Sequence, residues 1–211
     1  IGNVPIGGEN KIAIQSMTNM PVGDIQASVN QCKPLFDAGA DLVRLSVPRT
    51  PDIESLRLVK KQLDADGYKK PLVADVHFSS QIAEECARIV EKVRINPGNY
   101  IDKRANFKEL NLSDYEYNLE LEKIHDRLLP LIKVCREYGT AIRIGSNHGS
   151  LSDRILSRYG NTARGMVEAA MEFISIFGAE NFHNLVISMK ASNVKVMTES
   201  CELLTQRMIE T

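Results

Sequence analysis

Residues 71–99 read PLVADVHFSSQIAEECARIVEKVRINPGN. Two runs rich in branched apolar residues, PLVADVHF (71–78) and KVRINPGN (92–99), flank a stretch in which Ile82, Cys86, Ile89 and Val90 form one apolar helical stripe. Near-continuous apolar strands are buried on both faces, and the helix between them supplies the crossover that parallel pairing needs. The same alternation recurs outward in both directions. Strand-like runs stand at 11–19 (KIAIQSMTN), 41–48 (DLVRLSVP), 141–150 (AIRIGSNHGS) and 184–193 (NLVISMKASN), with helical periodicity between them. Six β-then-α units predict an α/β fold, either a doubly wound sheet or a (β/α) barrel. In a barrel, the polar clusters that end these runs meet at one rim, where such folds carry their active sites.

The chain has 211 residues, a single-domain length near the floor for a closed eight-stranded barrel. Six units fill it, so the reading is a TIM barrel truncated after about six βα units. With 26 basic against 27 acidic residues and no like-charged run, neither nucleic acid nor a membrane surface is indicated as partner. No stretch approaches a membrane span and the N-terminus lacks the pattern of a signal peptide, which favours a soluble cytoplasmic protein, or a stromal one in a plant-like source. Cys32, Cys86, Cys135 and Cys201 have no ligand spacing and fall on apolar stripes, so all four are assigned to the core and no metal to this chain.

Local signals give further expectations. Gly7-Gly8 suggests a hairpin before the first strand, and Thr50-Pro51-Asp52 a capped helix start ending near Gly67. A long helix is predicted over 114–138, its buried stripe running through Tyr117, Leu121, Ile124, Leu128, Leu131 and Cys135. The last helix repeats the pattern through Val194, Met197, Cys201, Leu204 and Met208. Pro34 and Pro130 each lie inside a predicted helix and should kink it. The fourth strand-to-helix connection, from Tyr100 to about Ser113, exceeds the usual length in α/β units and reads equally as a lid or a solvated excursion.

Arg44, Arg94 and Arg143 occupy matching places in three strands, with Lys190 at a fourth. Buried cations need anions, and a planar fork of donors suits phosphate. Asn96, Asn147 and Ser188 add polar groups at the same strand ends, while Ser150 or Ser152 is a candidate helix cap. Turn-forming Asn and Gly are the bland reading of those loops. Asp75 and His77, two apart on one strand, share a face and are the candidate catalytic pair. An acid/base pair, metal ligands and hydrogen-bond partners for substrate hydroxyls are all open to them. His148 is balanced between catalysis and capping; His125 and His183 read as structural.

The strand-end words VPIGG, IQSMTN, ADLVRLSVP, PLVADVHF, VRINPGN, AIRIGSNHGSLSDR and SMKASN, in this order, resemble the N-terminal domain of the 4-hydroxy-3-methylbut-2-enyl diphosphate synthase family, GcpE or IspG. The wording NHGSLSDR and the segment from Tyr100 to Tyr138 resemble the longer, plant-type form. The resemblance implies that residues 1–211 are an incomplete TIM-barrel substrate-binding domain. It implies reductive ring opening of 2-C-methyl-D-erythritol 2,4-cyclodiphosphate in non-mevalonate isoprenoid biosynthesis. Electrons would come from ferredoxin or flavodoxin through a [4Fe-4S] cluster held by a C-terminal domain outside this chain, leaving the chain alone inactive. Arg44, Arg94, Arg143, Asn147 and Lys190 match the diphosphate-gripping positions; Asp75, His77, Asn96 and Ser188 match their surroundings. A pterin-binding transferase barrel or a non-catalytic scaffold are the competing readings. Open edge strands would make the domain self-associating, and a homo-oligomer is expected.

Overall fold

The computed structural model describes residues 1–77, 79–102 and 106–210. Six parallel strands form one sheet in the order β1 to β6: β1 Gln15–Met17, β2 Leu42–Ser46, β3 Leu72–Asp75, β4 Lys92–Ile95, β5 Ala141–Asn147 and β6 Leu185–Lys190. A doubly wound sheet reverses its strand order at a switch point, whereas a barrel adds each strand beside the last. Strictly sequential order therefore decides for the truncated TIM-barrel arrangement. Eight helices are described: α1 Ile25–Asp37, α2 Pro51–Ala65, α3 Ser80–Ala87, α4 Pro97–Tyr100, α5 Asp114–Tyr138, α6 Asp153–Tyr159, α7 Ala163–Ala179 and α8 Val194–Ile209.

The chain divides into two compact units, Ile1–Arg94 with Lys133–Ile142, and Ile95–Ile132 with Arg143–Thr211. In the first, Met17 pairs with Arg44, Ser46 with Asp75 and Asp75 with Arg94. Thr18 N donates to Arg44 O at 3.0 Å, Val47 N to Asp75 O at 2.9 Å and Val76 N to Arg94 O at 3.0 Å. These bonds carry the ladder past the strands and fix the height of their C-terminal ends. Every residue of β3 and β4 is buried, while β1 and β6 are largely half-buried, as central and edge strands should be.

Side-chain caps start the helices. Asp24 caps α1, Ser79 α3, Ser152 α6, Thr162 α7 and Asn193 α8, each accepting from a backbone N–H in the first turn. Each such cap contributes about 1 kcal/mol. In the second unit, Val167 and Met171 of α7 pack with Leu204 of α8.

Several expectations are corrected. Residues 1–11 form turns and no strand, with Asn10 N donating to Gly7 O at 3.3 Å, so there is no hairpin. Thr50 is helical and makes no side-chain cap; Asp52 accepts from Arg49 N instead, at 3.1 Å. Pro51 starts α2 as expected, and Gly67, at φ 88°, ends it in the left-handed region that glycine tolerates. The buried face of α8 centres on Ser200 and Leu204, leaving Val194, Cys201 and Met208 exposed. Ser200 is fully buried because its Oγ donates to Met197 O at 2.8 Å, which lets a small hydroxyl sit where the helices meet.

Residues 103–105 of the connection between Tyr100 and Ser113 lie outside the described residues. Residues 106–111 are exposed, as in a solvated excursion, yet they are fastened along one face of α6. Asp102 pairs with Arg154 at 3.3 Å; Asn106 N and Phe107 N donate to Asp153 at 3.0 and 2.9 Å. Leu110 N donates to Ser157 Oγ at 2.9 Å, and Arg158 pairs with Asp114 at 2.6 Å. Positions 153, 154, 157 and 158 lie on one side of a helix.

Candidate functional site

In the first unit, β2, β3 and β4 bring four predicted site residues together. Arg94 Nη1 lies 3.1 Å from Asp75 Oδ1, and Arg44 Nε lies 3.6 Å from Asp75 Oδ2. His77 Nε2 lies 3.2 Å from Asp75 Oδ1 and 3.4 Å from Arg94 Nη1. One ring nitrogen can donate to the carboxylate or accept from the guanidinium, but not both, so the tautomer decides which contact is a hydrogen bond. Arg44 also donates from Nη2 and Nε to Met17 Sδ at 2.9 and 3.2 Å.

Burial alone would raise the Asp75 carboxyl. The hydrogen bond from His77 and the charges of Arg94, His77 and Arg44 outweigh it and hold the group below the ordinary carboxylate range. A buried carboxylate is thereby kept ionised, with two guanidiniums and an imidazole arranged around it.

Lys92 was missed by reading the sequence. It is only 2% exposed, two residues before Arg94 on β4 and so on the same strand face, and its Nζ donates to Gln15 Oε1 at 2.8 Å. The signal was present in KVRI, where cations alternate with apolar residues.

In the second unit, Arg143 Nε donates to Ser188 Oγ at 2.9 Å, joining β5 to β6. Asn96 is buried and its side chain is used at both ends: Nδ2 donates to Ser150 Oγ at 2.8 Å and Oδ1 accepts from Gly98 N at 3.1 Å. Asn147 is half-buried and its carbonyl accepts from Ser150 N at 3.0 Å. Lys190 has an exposed side chain, and its carbonyl accepts from His148 N at 2.9 Å. His148 Nε2 bonds the Asn161 carbonyl at 3.0 Å, a tethering contact. His125 and His183 bond Glu180 and Asn181, both at 2.9 Å, away from the strand ends.

A groove of about 450 Å³ runs among α5, α6, α7 and α8, lined by Tyr117, His125, Arg158, Glu168, Glu172 and Arg207. None of the predicted site residues lines it. Its charges are matched locally: Arg207 pairs with Glu168 at 2.8 Å, and Arg154 with Glu172 at 2.7 Å.

The cysteines do not suit an iron–sulfur cluster. Cys32, Cys86 and Cys135 are buried on three different helices, and burial pushes each thiol up to about 12, opposite to the thiolate that iron binds. Cys201 is exposed on α8. Among the described residues, no helix is long and apolar enough to cross a membrane.

Residues 1–210 match the GcpE TIM-barrel domain family. The chain belongs to the GcpE family. A 4-hydroxy-3-methylbut-2-en-1-yl diphosphate synthase (flavodoxin) of Bacteroides thetaiotaomicron is 53% identical over 204 residues, 97% of this chain and 33% of the relative. The synthase of the same name from Leptospira interrogans is 47% identical over 210 residues, 100% of this chain and 32% of the relative. The GcpE barrel domain described here thus spans about a third of the length of the curated relatives it matches. Among solved structures, methylaspartate ammonia lyase from Clostridium tetanomorphum is similar with a TM-score of 0.56 and 16% identity, over 93% of this chain and 42% of that one. The Escherichia coli 3-keto-D-glucoside 4-epimerase has a TM-score of 0.51 and 12% identity, over 91% of this chain and 75% of that one. Both are likenesses of fold alone.

Proposed function

We propose that this chain is the substrate-binding barrel part of a 4-hydroxy-3-methylbut-2-enyl diphosphate synthase, with 2-C-methyl-D-erythritol 2,4-cyclodiphosphate as substrate. The diphosphate-binding residues are Arg44 and Arg94 of the first unit and Asn96, Arg143, Asn147, Ser188 and Lys190 of the second. The observation that carries this reading is the gathering of Arg44, Arg94 and His77 around the Asp75 carboxylate at the ends of β2, β3 and β4. Guanidiniums placed at strand ends favour an anionic guest, because arginine offers a phosphate two parallel donors.

Each residue has a distinct task in this reading. Arg44 and Arg94 hold phosphoryl oxygens by charge and by directed N–H donors, and Asp75 keeps the two forks oriented when no substrate is bound. Asp75 and His77 form the catalytic pair. Loss of a substrate hydroxyl as water needs a proton at that oxygen, and His77, held 3.2 Å from Asp75, is the residue this reading assigns to deliver it. Asn96, whose amide bonds Ser150 and Gly98 N, turns its second Nδ2 hydrogen to the substrate in this reading.

The reductive ring opening takes two electrons through a [4Fe-4S] cluster, whose ligands this reading assigns to a C-terminal domain outside residues 1–211. The poor fit of this chain's own cysteines supports that assignment. Flavodoxin, printed in the names of the relatives, is the proposed electron donor. A cytoplasmic homo-oligomer is the proposed assembly, consistent with half-buried β1 and β6. Calorimetric titration tests the reading: the chain should bind the cyclodiphosphate in preference to inorganic pyrophosphate. Indifference between the two would overturn it.

A further inference from the structure

The strand ends of the second unit are tied together through one serine. Ser150 Oγ accepts from Asn96 Nδ2 at 2.8 Å, and Asn96 Oδ1 holds Gly98 N at 3.1 Å, so a single amide both starts α4 and bonds the loop after β5. The contact continues through the backbone. A Cβ on Gly98 would stand 1.7 Å from Ser150 O, an approach that only glycine allows. Ser150 N in turn donates to Asn147 O at 3.0 Å and closes the turn that carries Asn147 and His148. His148 N donates to Lys190 O at 2.9 Å at the end of β6. A continuous path therefore runs from Asn96, through Ser150 and the Asn147–His148 turn, to Lys190.

We propose that Ser150 is a positioning residue of the substrate site. Resting on the functional reading above, its role is to latch the turn after β5 to the start of α4, so that Asn147 and Lys190 are held ready for an anionic substrate. The hydroxyl does this without touching substrate: it is committed to Asn96 and to the turn it closes. Two features separate a latch from ordinary turn chemistry. The bonded partners are 54 residues apart in sequence, and the contact combines a side-chain hydrogen bond with backbone packing that fixes the loop's distance. Pre-ordering a loop in its bound conformation raises affinity by removing the entropy cost of ordering it at binding.

Ser150→Ala removes the hydroxyl, and Ser150→Thr retains it. The chain and both variants are compared by amide hydrogen exchange, by thermal unfolding and by calorimetric titration with the cyclodiphosphate. In Ser150→Ala, exchange at residues 148–151 should rise about tenfold, and cyclodiphosphate affinity should fall about tenfold, the scale of one lost hydrogen bond. Exchange elsewhere in the unit should stay unchanged. Ser150→Thr should recover part of both effects. If Ser150→Ala leaves exchange at 148–151 and affinity at their original values, the latch is overturned. A rise in exchange spread evenly over the unit would also overturn it, leaving only a general structural role. Exchange needs no ligand, so it separates the two levels: failure of the unaltered chain to bind cyclodiphosphate sinks the functional reading, while the exchange arm still judges the latch.

Discussion

Asp75 and Arg94 stand opposite one another on β3 and β4, in register, with Oδ1 and Nη1 3.1 Å apart and both side chains almost fully buried. Two charges taken out of water in this way cost several kcal/mol each in lost hydration, which their attraction must offset. Arg44 and His77 crowd the same carboxylate, so its removal is felt by every cation around it.

Asp75→Asn should therefore destabilise the domain by about 3 kcal/mol, the usual scale for breaking a buried pair from one side. Urea unfolding at neutral pH measures it. A change within about 0.5 kcal/mol would mean that the strand cations do not depend on this carboxylate.

The same group sets an acid limit. The folded Asp75 carboxyl lies below its unfolded range, because hydrogen bonding and neighbouring cations more than offset burial. Its contribution is thus fully present above about pH 4 and is lost as pH falls through the folded value. Unfolding midpoints taken between pH 7 and pH 3 should decline at the acid end, and Asp75→Asn should flatten that part of the curve. An unchanged slope in the variant would assign the acid sensitivity elsewhere.

Arg154 fastens the segment after α4. Its guanidinium, 4% exposed, pairs with Glu172 and Asp102 and lies 4.7 Å from the Tyr117 ring centre. Arg154→Met leaves both carboxylates without this partner, at an expected cost of about 3 kcal/mol or more. Limited proteolysis should then cut within residues 106–112 at protein concentrations and temperatures where the original chain resists. Equal resistance would show that the backbone bonds to Asp153 and Ser157 suffice to hold the segment.

His125 gives a weaker pH signal of opposite sign. Its hydrogen bond with Glu180 raises the imidazole above its ordinary value. The stabilisation is present below about pH 6.5 and disappears as pH rises through the folded value. The pair is partly exposed, so the effect should be a few tenths of a kcal/mol. Comparing His125→Gln with the original chain at pH 6 and pH 8.5 reads it directly; an equal gap at both would contradict it.

Much of the fold was legible because strand burial and helical periodicity are written in residue type. VRLS, LVAD and VRIN announce β2, β3 and β4, and the stripe from Tyr117 to Cys135 gives α5 its observed bounds, Asp114–Tyr138. The errors fell where several residues could satisfy the same local rule. Val194, Met197 and Cys201 make as good a stripe on paper as Val196, Ser200 and Leu203, and only packing against α7 selects the second. Thr50 looked like a cap, but the Asp52 carboxylate took the bond at that helix start. At the candidate site, cations inside strands signalled a demand for anions, while the meeting of Arg44 and Arg94 at Asp75 follows from the register of β2, β3 and β4. Ser150 was invisible as a latch, since its partner Asn96 is distant in sequence and the glycine that admits it reads as part of a turn.

The central claim is that residues 1–211 grip the cyclodiphosphate. Calorimetric titration of this chain and of Arg143→Ala, each with the cyclodiphosphate and with inorganic pyrophosphate, tests it most directly. The account predicts preferential binding of the cyclodiphosphate and at least a tenfold loss in Arg143→Ala, the scale of about 1.4 kcal/mol for a lost charge-assisted contact. Binding that ignores the difference between the two anions, or that survives Arg143→Ala undiminished, would contradict it.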